Sequence, residues 1–363
     1  MLGFFRFILA GLVAWSNTPL YPGSIGVQIG ASAVIAFYFI SGFLMAKTYP
    51  RFFGQKNPFL LFYTDRFIRL YPIFFLFFII STLYYFYLSN HDFSKTNLVG
   101  ELLLIPQNYH YITDRLTNHM IDPAWSLGAE FQWYLLVPLI FFLTTQGRRF
   151  ILIILFLGQI LVFSLYLFPI DNDSCEFLQS HTFNLCFPLS DLLGYRLLIF
   201  VGATFLFGHI MSELLWRKRV FVIIAFSLFF FIIWLLTTLY GKILPRFNDV
   251  MFAYVFIFPL CLFTLKKKIE NKLWQKIDKL CAGLSYPVFL THFLSIRIAS
   301  DLGNPIGLTG RYLDLYQIIV AGFVTLLFSL FLFLIQQKID KFRINLRGFS
   351  SLNEKHNHQV ISK

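Results

Sequence analysis

The chain has 363 residues, of which 57% are hydrophobic and 13% charged, with a mean hydropathy of +0.68. A soluble globular domain carries about a quarter of its residues as charges, so this composition excludes a water-soluble protein, and with it a disordered, collagenous or disulfide-scaffold chain. The net charge of +12 would suggest nucleic acid in a soluble chain, whereas in a bilayer protein the placement of the cations decides.

A membrane-spanning helix takes about 20 mostly apolar residues. Apolar runs broken by charge, Pro and Gly predict an all-α membrane protein with about ten transmembrane helices, at 3–21, 29–46, 67–88, 125–145, 150–168, 192–212, 220–240, 249–265, 282–298 and 313–336. With both termini in the cytoplasm, the cations in or beside outward-facing segments are Lys95, Arg115, Arg196, Lys242, Arg246, Arg297 and Arg311, and the rest lie in cytoplasmic segments. That is the positive-inside pattern. The excess charge therefore reads as orientation and attraction to anionic membrane lipids, with no nucleic-acid role. Residues 1–340 form the membrane domain and 341–363 a short basic cytoplasmic tail. The first span is read as a retained helix and not a cleaved secretory signal, because the next span follows within about ten residues. No Gly-rich phosphate loop and no metal-ligand spacing are present in the sequence.

Polar residues inside spans are costly and mark function. On the first helix Arg6 and Asn17 fall on one face about 16 Å apart along the axis, lining one side of a shaft or, alternatively, snorkelling and packing separately. At the entrance of the third span, Asp65-Arg66-Phe67-Ile68-Arg69 sets two arginines at i and i+3, able to grip one anionic group together. In Pro123-Ala124-Trp125-Ser126-Leu127-Gly128-Ala129-Glu130, Ser126 and Glu130 share a face about a turn into the membrane, where a carboxylate orients a catalytic group, carries a proton or pairs with a cation. Arg6, placed toward the opposite side of the membrane, is not expected to be that partner. His209 and His292 also lie in spans, and His119 in the long outward loop is six residues from Trp125. Cys175 and Cys186 share another outward loop and are a candidate disulfide in an oxidising compartment, while Cys261 and Cys281 lie elsewhere.

Five blocks in order resemble the integral-membrane acyltransferase family three, bacterial enzymes that O-acylate surface glycans. They are Arg6 to Ala10, FYFISGFLM from Phe37 to Met45, FYTDRFIRLYPIFF from Phe62 to Phe75, PAWSLGAEFQWYLLVP from Pro123 to Pro138, and SYPVFLTHF from Ser285 to Phe293. The resemblance implies a membrane-bound acyltransferase of the bacterial cytoplasmic (inner) membrane. Its donor substrate would be a cytoplasmic acyl-CoA, most often acetyl-CoA, with no bound cofactor, and its acceptor a hydroxyl of a cell-surface or lipid-linked glycan. Carried onto this chain, Arg66 and Arg69 would hold the coenzyme A phosphates, with Ser126 and Trp125 near the substrate. Arg6 would line the path and Asn17 would mark the acyl-transfer centre. Glu130, by its depth on the outward half of the fourth helix, is expected near position 17, which is also on the outward half of its own helix.

Asn17 departs from the family pattern, which has a His there, and an amide cannot accept a proton at physiological pH. The chain is then an intact enzyme carrying a substitution, a member with lost or altered catalysis, or one using another base such as His119 or Glu130. The intact surrounding motifs favour the first two, so this form is expected to be inactive or altered. Two rival classes remain: a transporter or exporter of a glycan or metabolite, and a non-catalytic glycan- or acyl-CoA-binding member. A repeat-type transporter should show internal two-fold similarity, and neither the RxxR nor the Ser-x-x-x-Glu block recurs in the second half.

Overall fold

A computed structural model describes residues 1–18, 23–88, 98–105, 120–165, 198–239, 247–266, 270–303 and 307–361. Among the described residues every regular element is helical. In chain order these are α1 (Leu2–Ser16), α2 (Gly23–Thr48) with a 3₁₀ turn (Tyr49–Phe52), α3 (Pro58–Tyr87), α4 (Leu98–Leu102), α5 (Ala124–Phe142) and α6 (Thr145–Leu165). Then follow α7 (Leu198–Glu213), α8 (Trp216–Leu239), α9 (Phe247–Phe252), a π-helical turn (Ala253–Ile257), α10 (Phe258–Lys266), α11 (Lys272–Asp301) and α12 (Arg311–Ile361).

Each predicted span falls on a helix in its described part. Among the described residues four stretches are long and apolar enough to cross a membrane: Ile29–Phe52, Pro58–Tyr87, Trp216–Leu239 and Arg311–Ile344. Leu2–Ser16, Leu198–Glu213 and Val250–Leu262 are shorter apolar helices. The apolar window of α2 is 78% buried, whereas those of α8 and α12 are 17% buried. Thus α2 is the most buried of these four stretches, and α8 and α12 turn apolar side chains outward, as lipid-facing helices do.

Three boundaries differ from the sequence reading, each for a local reason. Helix α1 ends at Ser16 with Asn17 as its C-cap, because Pro19 disfavours helical geometry at Thr18. Helix α3 starts more than two turns early, at Pro58, behind Asn57 in left-handed geometry (φ 63°); proline is preorganised for a first helical position. The charged stretch 65–69, read as a membrane entrance, therefore lies inside a continuous helix. Helix α11 begins at Lys272, where the Asn271 side chain accepts a hydrogen bond from the Leu273 amide at 2.8 Å, a standard N-cap. The stretch read as a basic tail continues α12 as helix to Ile361.

Two packing groups meet at α2. One consists of α1, α11 and α12, with α3 against the last two; the other is α7 against α2, with α6 and α5 beside it. The α2–α7 crossing is close and reciprocal. A methyl group on Gly42 would strike the carbonyl oxygen of Phe205, and one on Gly208 would strike that of Phe39. Such small-residue crossings let helix backbones approach in a membrane, where no hydrophobic driving force separates protein from lipid tails. Behind them an aromatic cluster fills the core, including Phe39 stacked on Phe258 at 4.6 Å and Phe207 on Phe226 at 4.5 Å between ring centroids.

Candidate active site

Three cavities follow one another along α1 and α11, the middle one lined also by α2, α3 and α5. The two ends of α1 mark their order: Arg6 lines the first two cavities and Asn17 the third. Helix α11 runs the same way, contributing Lys276 to Gly283, then Ala282 to Phe289, then Ile296 and Ser300; α12 runs in reverse.

The first cavity, about 650 Å³, is basic. Among the described residues Arg6, Arg69, Lys276, Lys279, Lys341 and Arg343 line it with a single carboxylate, Asp340. Helices α11 and α12 project their charged ends past the apolar bundle to form its walls. It shares Arg6, Arg69, Ala282 and Gln336 with the second cavity, a narrow one of about 60 Å³. This one adds Tyr38, Ser126, Glu130, Tyr134, Ser285, Tyr286 and Phe289. A six-cation mouth thus opens onto a constricted passage that mixes aromatic, aliphatic and polar side chains.

Within the passage, Glu130 is held by two hydroxyls: Ser41 of α2 and Tyr134, one turn along α5, both donate to its Oε1. Tyr286 donates to the Leu70 carbonyl at 2.9 Å, tying α11 to α3. Ser126 donates to the Pro123 carbonyl at 3.0 Å, a local bond within the first turn of α5. Arg6 lies over Phe37, 5.9 Å from the ring centroid, and its Nε has no hydrogen-bond partner among the described residues. Neither Arg6 nor Arg69 forms an ion pair with a described residue. Among the described residues two guanidiniums and one carboxylate line this passage, an arrangement that draws in an anionic ligand.

The third cavity, about 300 Å³, is lined by Asn17, Thr18, Ile296, Ser300, Gln317, Ile318 and Ala321. The Asn17 amide donates to the Val13 carbonyl at 2.8 Å and sits 3.3 Å from Nε2 of His292, which is buried on α11.

Several sequence expectations are redrawn by this geometry. Arg66 and Arg69 do not act as one fork. Arg66 is 2% exposed, paired with its neighbour Asp65, and packed on Phe62 and the Met45 sulfur. Arg69 alone of the two lines the cavities. Arg6, not expected beside Glu130, shares the passage with it. The expected Asn17–Glu130 pairing does not form, because the hydrogen bonds of Glu130 go to Ser41 and Tyr134 and those of Asn17 to Val13 and His292. Trp125 is half-buried against the core and is not among the residues lining these cavities. His119, Cys175 and Cys186 lie outside the described residues, and Cys261 and Cys281 are free and buried.

Sequence reading missed Asp65 as a structural acid, and it missed Lys276, Lys279, Lys341 and Arg343 as site residues. Asp65 takes both Arg66 and Arg343, the latter at 3.3 Å. The adjacency of Asp65 to the paired arginines was the available signal for the first. The four cations looked like ordinary cytoplasmic-loop charges, and nothing local set them apart.

The fold and cavities define an all-helical membrane protein with a polar site enclosed by its helices. The chain belongs to acyltransferase family 3: residues 2–334 match the family described as an acyltransferase domain. Over 242 residues it is 29% identical to an uncharacterized protein of Aquifex aeolicus (strain VF5), covering 62% of this chain and 90% of that relative. No solved structure matches it.

Proposed function

We propose that this acyltransferase-family protein crosses the bacterial cytoplasmic membrane about ten times, basic end inward, and moves an acyl group from a coenzyme A thioester to a hydroxyl of a surface or lipid-linked glycan. Acetyl is the acyl group the family resemblance favours. The observation that carries this reading is the junction of the six-cation cavity with the narrow passage through shared Arg6 and Arg69. Coenzyme A has the matching shape: a head bearing several phosphate charges and a long, thin, uncharged arm ending in the reactive sulfur.

On this reading Arg69, Lys276, Lys279, Lys341 and Arg343 receive the phosphates. Arg6 stands where head and arm meet. The arm runs between Tyr38, Tyr134, Tyr286 and Phe289 toward the third cavity, and holding it there turns a bimolecular encounter into a positioned one. Glu130 balances the two guanidiniums of the passage when no donor is present, which limits the cost of enclosed like charges. The positive-inside bias of the cations supports the orientation. The third cavity, lined by amides, hydroxyls and small apolar groups, suits an uncharged acceptor.

Equilibrium binding of acetyl-CoA to the protein in lipid nanodiscs tests the reading. Arg69→Ala should weaken binding by about tenfold, the effect of losing one charge-assisted contact. An unchanged affinity, or no binding by the unaltered chain, would overturn it.

A further inference from the structure

We propose that His292 is the proton acceptor of the transfer, supplying the base that Asn17 cannot, and that Asn17 orients it and then donates to the transition state. This rests on the acyl-CoA reading above and adds to it a second catalytic residue on a different helix.

The hydrogen-bond geometry assigns the protons. Nδ1 of His292 is 2.8 Å from the Phe289 carbonyl oxygen, which can only accept, so Nδ1 carries the hydrogen. Nε2 is then the bare nitrogen, with its lone pair toward Asn17 Nδ2 at 3.3 Å. The orientation of the amide follows in the same way: Nδ2 also donates to the Val13 carbonyl at 2.8 Å, which places the nitrogen, not the oxygen, against the imidazole. A buried imidazole held in one tautomer by a backbone carbonyl, with its free nitrogen capped by a side chain, has the form of a general base.

Its position in the fold is equally specific. Phe289, His292 and Ile296 stand at i, i+3 and i+7 on one face of α11. Phe289 lines the narrow passage, and Ile296 and Asn17 line the third cavity. His292, 1% exposed, therefore occupies the partition between the arm of the donor and the cavity proposed for the acceptor. An acceptor hydroxyl reaching that partition takes the place of the Asn17 hydrogen on Nε2.

The step balances as follows. The hydroxyl gives its proton to Nε2 as its oxygen bonds to the thioester carbonyl carbon. The resulting oxyanion accepts a hydrogen bond from the freed Asn17 amide, the kind of donor that stabilises such charge. Collapse breaks the carbon–sulfur bond, and the proton on Nε2 passes to the departing thiolate. The products are the ester and free coenzyme A, with no further reactant.

The test uses the full chain in nanodiscs with acetyl-CoA as donor and methyl glucoside at high concentration as acceptor, reading thiol release and acetyl-glucoside formation by mass spectrometry alongside acetyl-CoA affinity. The unaltered chain should turn over. His292→Gln should lose at least a hundredfold in rate, within the usual span for a general base, with acetyl-CoA affinity unchanged, which also reports a folded protein. Asn17→Ala should lose less. The proposal is overturned if His292→Gln turns over like the unaltered chain, or if the unaltered chain binds acetyl-CoA and releases no thiol, in which case the donor reading still stands. If the unaltered chain does not bind acetyl-CoA, the donor reading and this inference both fall.

Discussion

Asp65 on α3 forms an ion pair with Arg343 on α12 at 3.3 Å while its other carboxylate oxygen is taken by Arg66. One buried acid thus joins α3 to α12, two of the helices that contribute cations to the basic cavity, and it accounts for the burial of Arg66 next to the cavity-lining Arg69. Arg343 is further held by Asp340 at 3.1 Å.

Removing the charge of Asp65 should be costly. In Asp65→Asn, Arg66 keeps its burial and loses its counter-charge, a change that costs about 3 kcal/mol or more. The expected result is a clear fall in thermal unfolding temperature in detergent together with weaker acetyl-CoA binding, since Arg343 loses its anchor. An unfolding temperature matching that of the unaltered chain would contradict the structural role of this acid.

The two arginines of the RxxR block should separate by assay. Arg66→Ala is expected to lower stability, whereas Arg69→Ala is expected to keep the unfolding temperature and lose donor affinity. Because six cations line the cavity, acetyl-CoA affinity should fall as salt rises from 0.05 to 0.5 M, roughly a range in which the screening length drops below 5 Å, and fall less steeply in Arg69→Ala. Equal effects of both substitutions on both measurements would return the pair to a single fork.

Glu130→Gln keeps an oxygen that accepts from Ser41 and Tyr134 and removes the one carboxylate that the described residues place in the passage. With the guanidiniums of Arg6 and Arg69 no longer balanced, an anionic donor should bind more tightly, by about 1 kcal/mol or roughly fivefold. Weaker binding of acetyl-CoA by this variant would show that the carboxylate contacts the donor directly.

The reciprocal crossing of α2 and α7 predicts non-additive packing effects. Gly42→Ala and Gly208→Ala each force a helix backbone away from a carbonyl oxygen, at about 1–3 kcal/mol. Once one has opened the crossing the other finds room, so the double variant should cost less than the two single ones together. Denaturant unfolding of the four proteins in one detergent gives the comparison, and strict additivity would argue against a shared shift.

The helical character and the location of nearly every helix could be read from the sequence, because apolar runs of spanning length have few alternatives in lipid. The helix ends at 16, 58 and 272 were not, since each is set by a proline or a capping side chain that an apolar-run reading does not weigh. Arg6, Glu130, Arg69 and Asn17 were all singled out as unusual, and each lines one of the three cavities. Their grouping was misread: depth along separate helices put Glu130 with Asn17, while the packing put Glu130 with Arg6 and Asn17 with His292.

Composition, hydropathy and the distribution of cations determined by themselves that the chain is a helical membrane protein, and five ordered blocks pointed to its family. Helical spacing also showed that Arg66 and Arg69 lie about 60° apart on their own helix. Which neighbour each meets is a property of the assembled bundle. Asp65 and α12 enclose Arg66, and a cavity opens beside Arg69, because those helices pack there and not because of anything encoded in the spacing. For the same reason the contact of Asn17 with His292, 275 positions apart, exists only once α1 and α11 lie side by side.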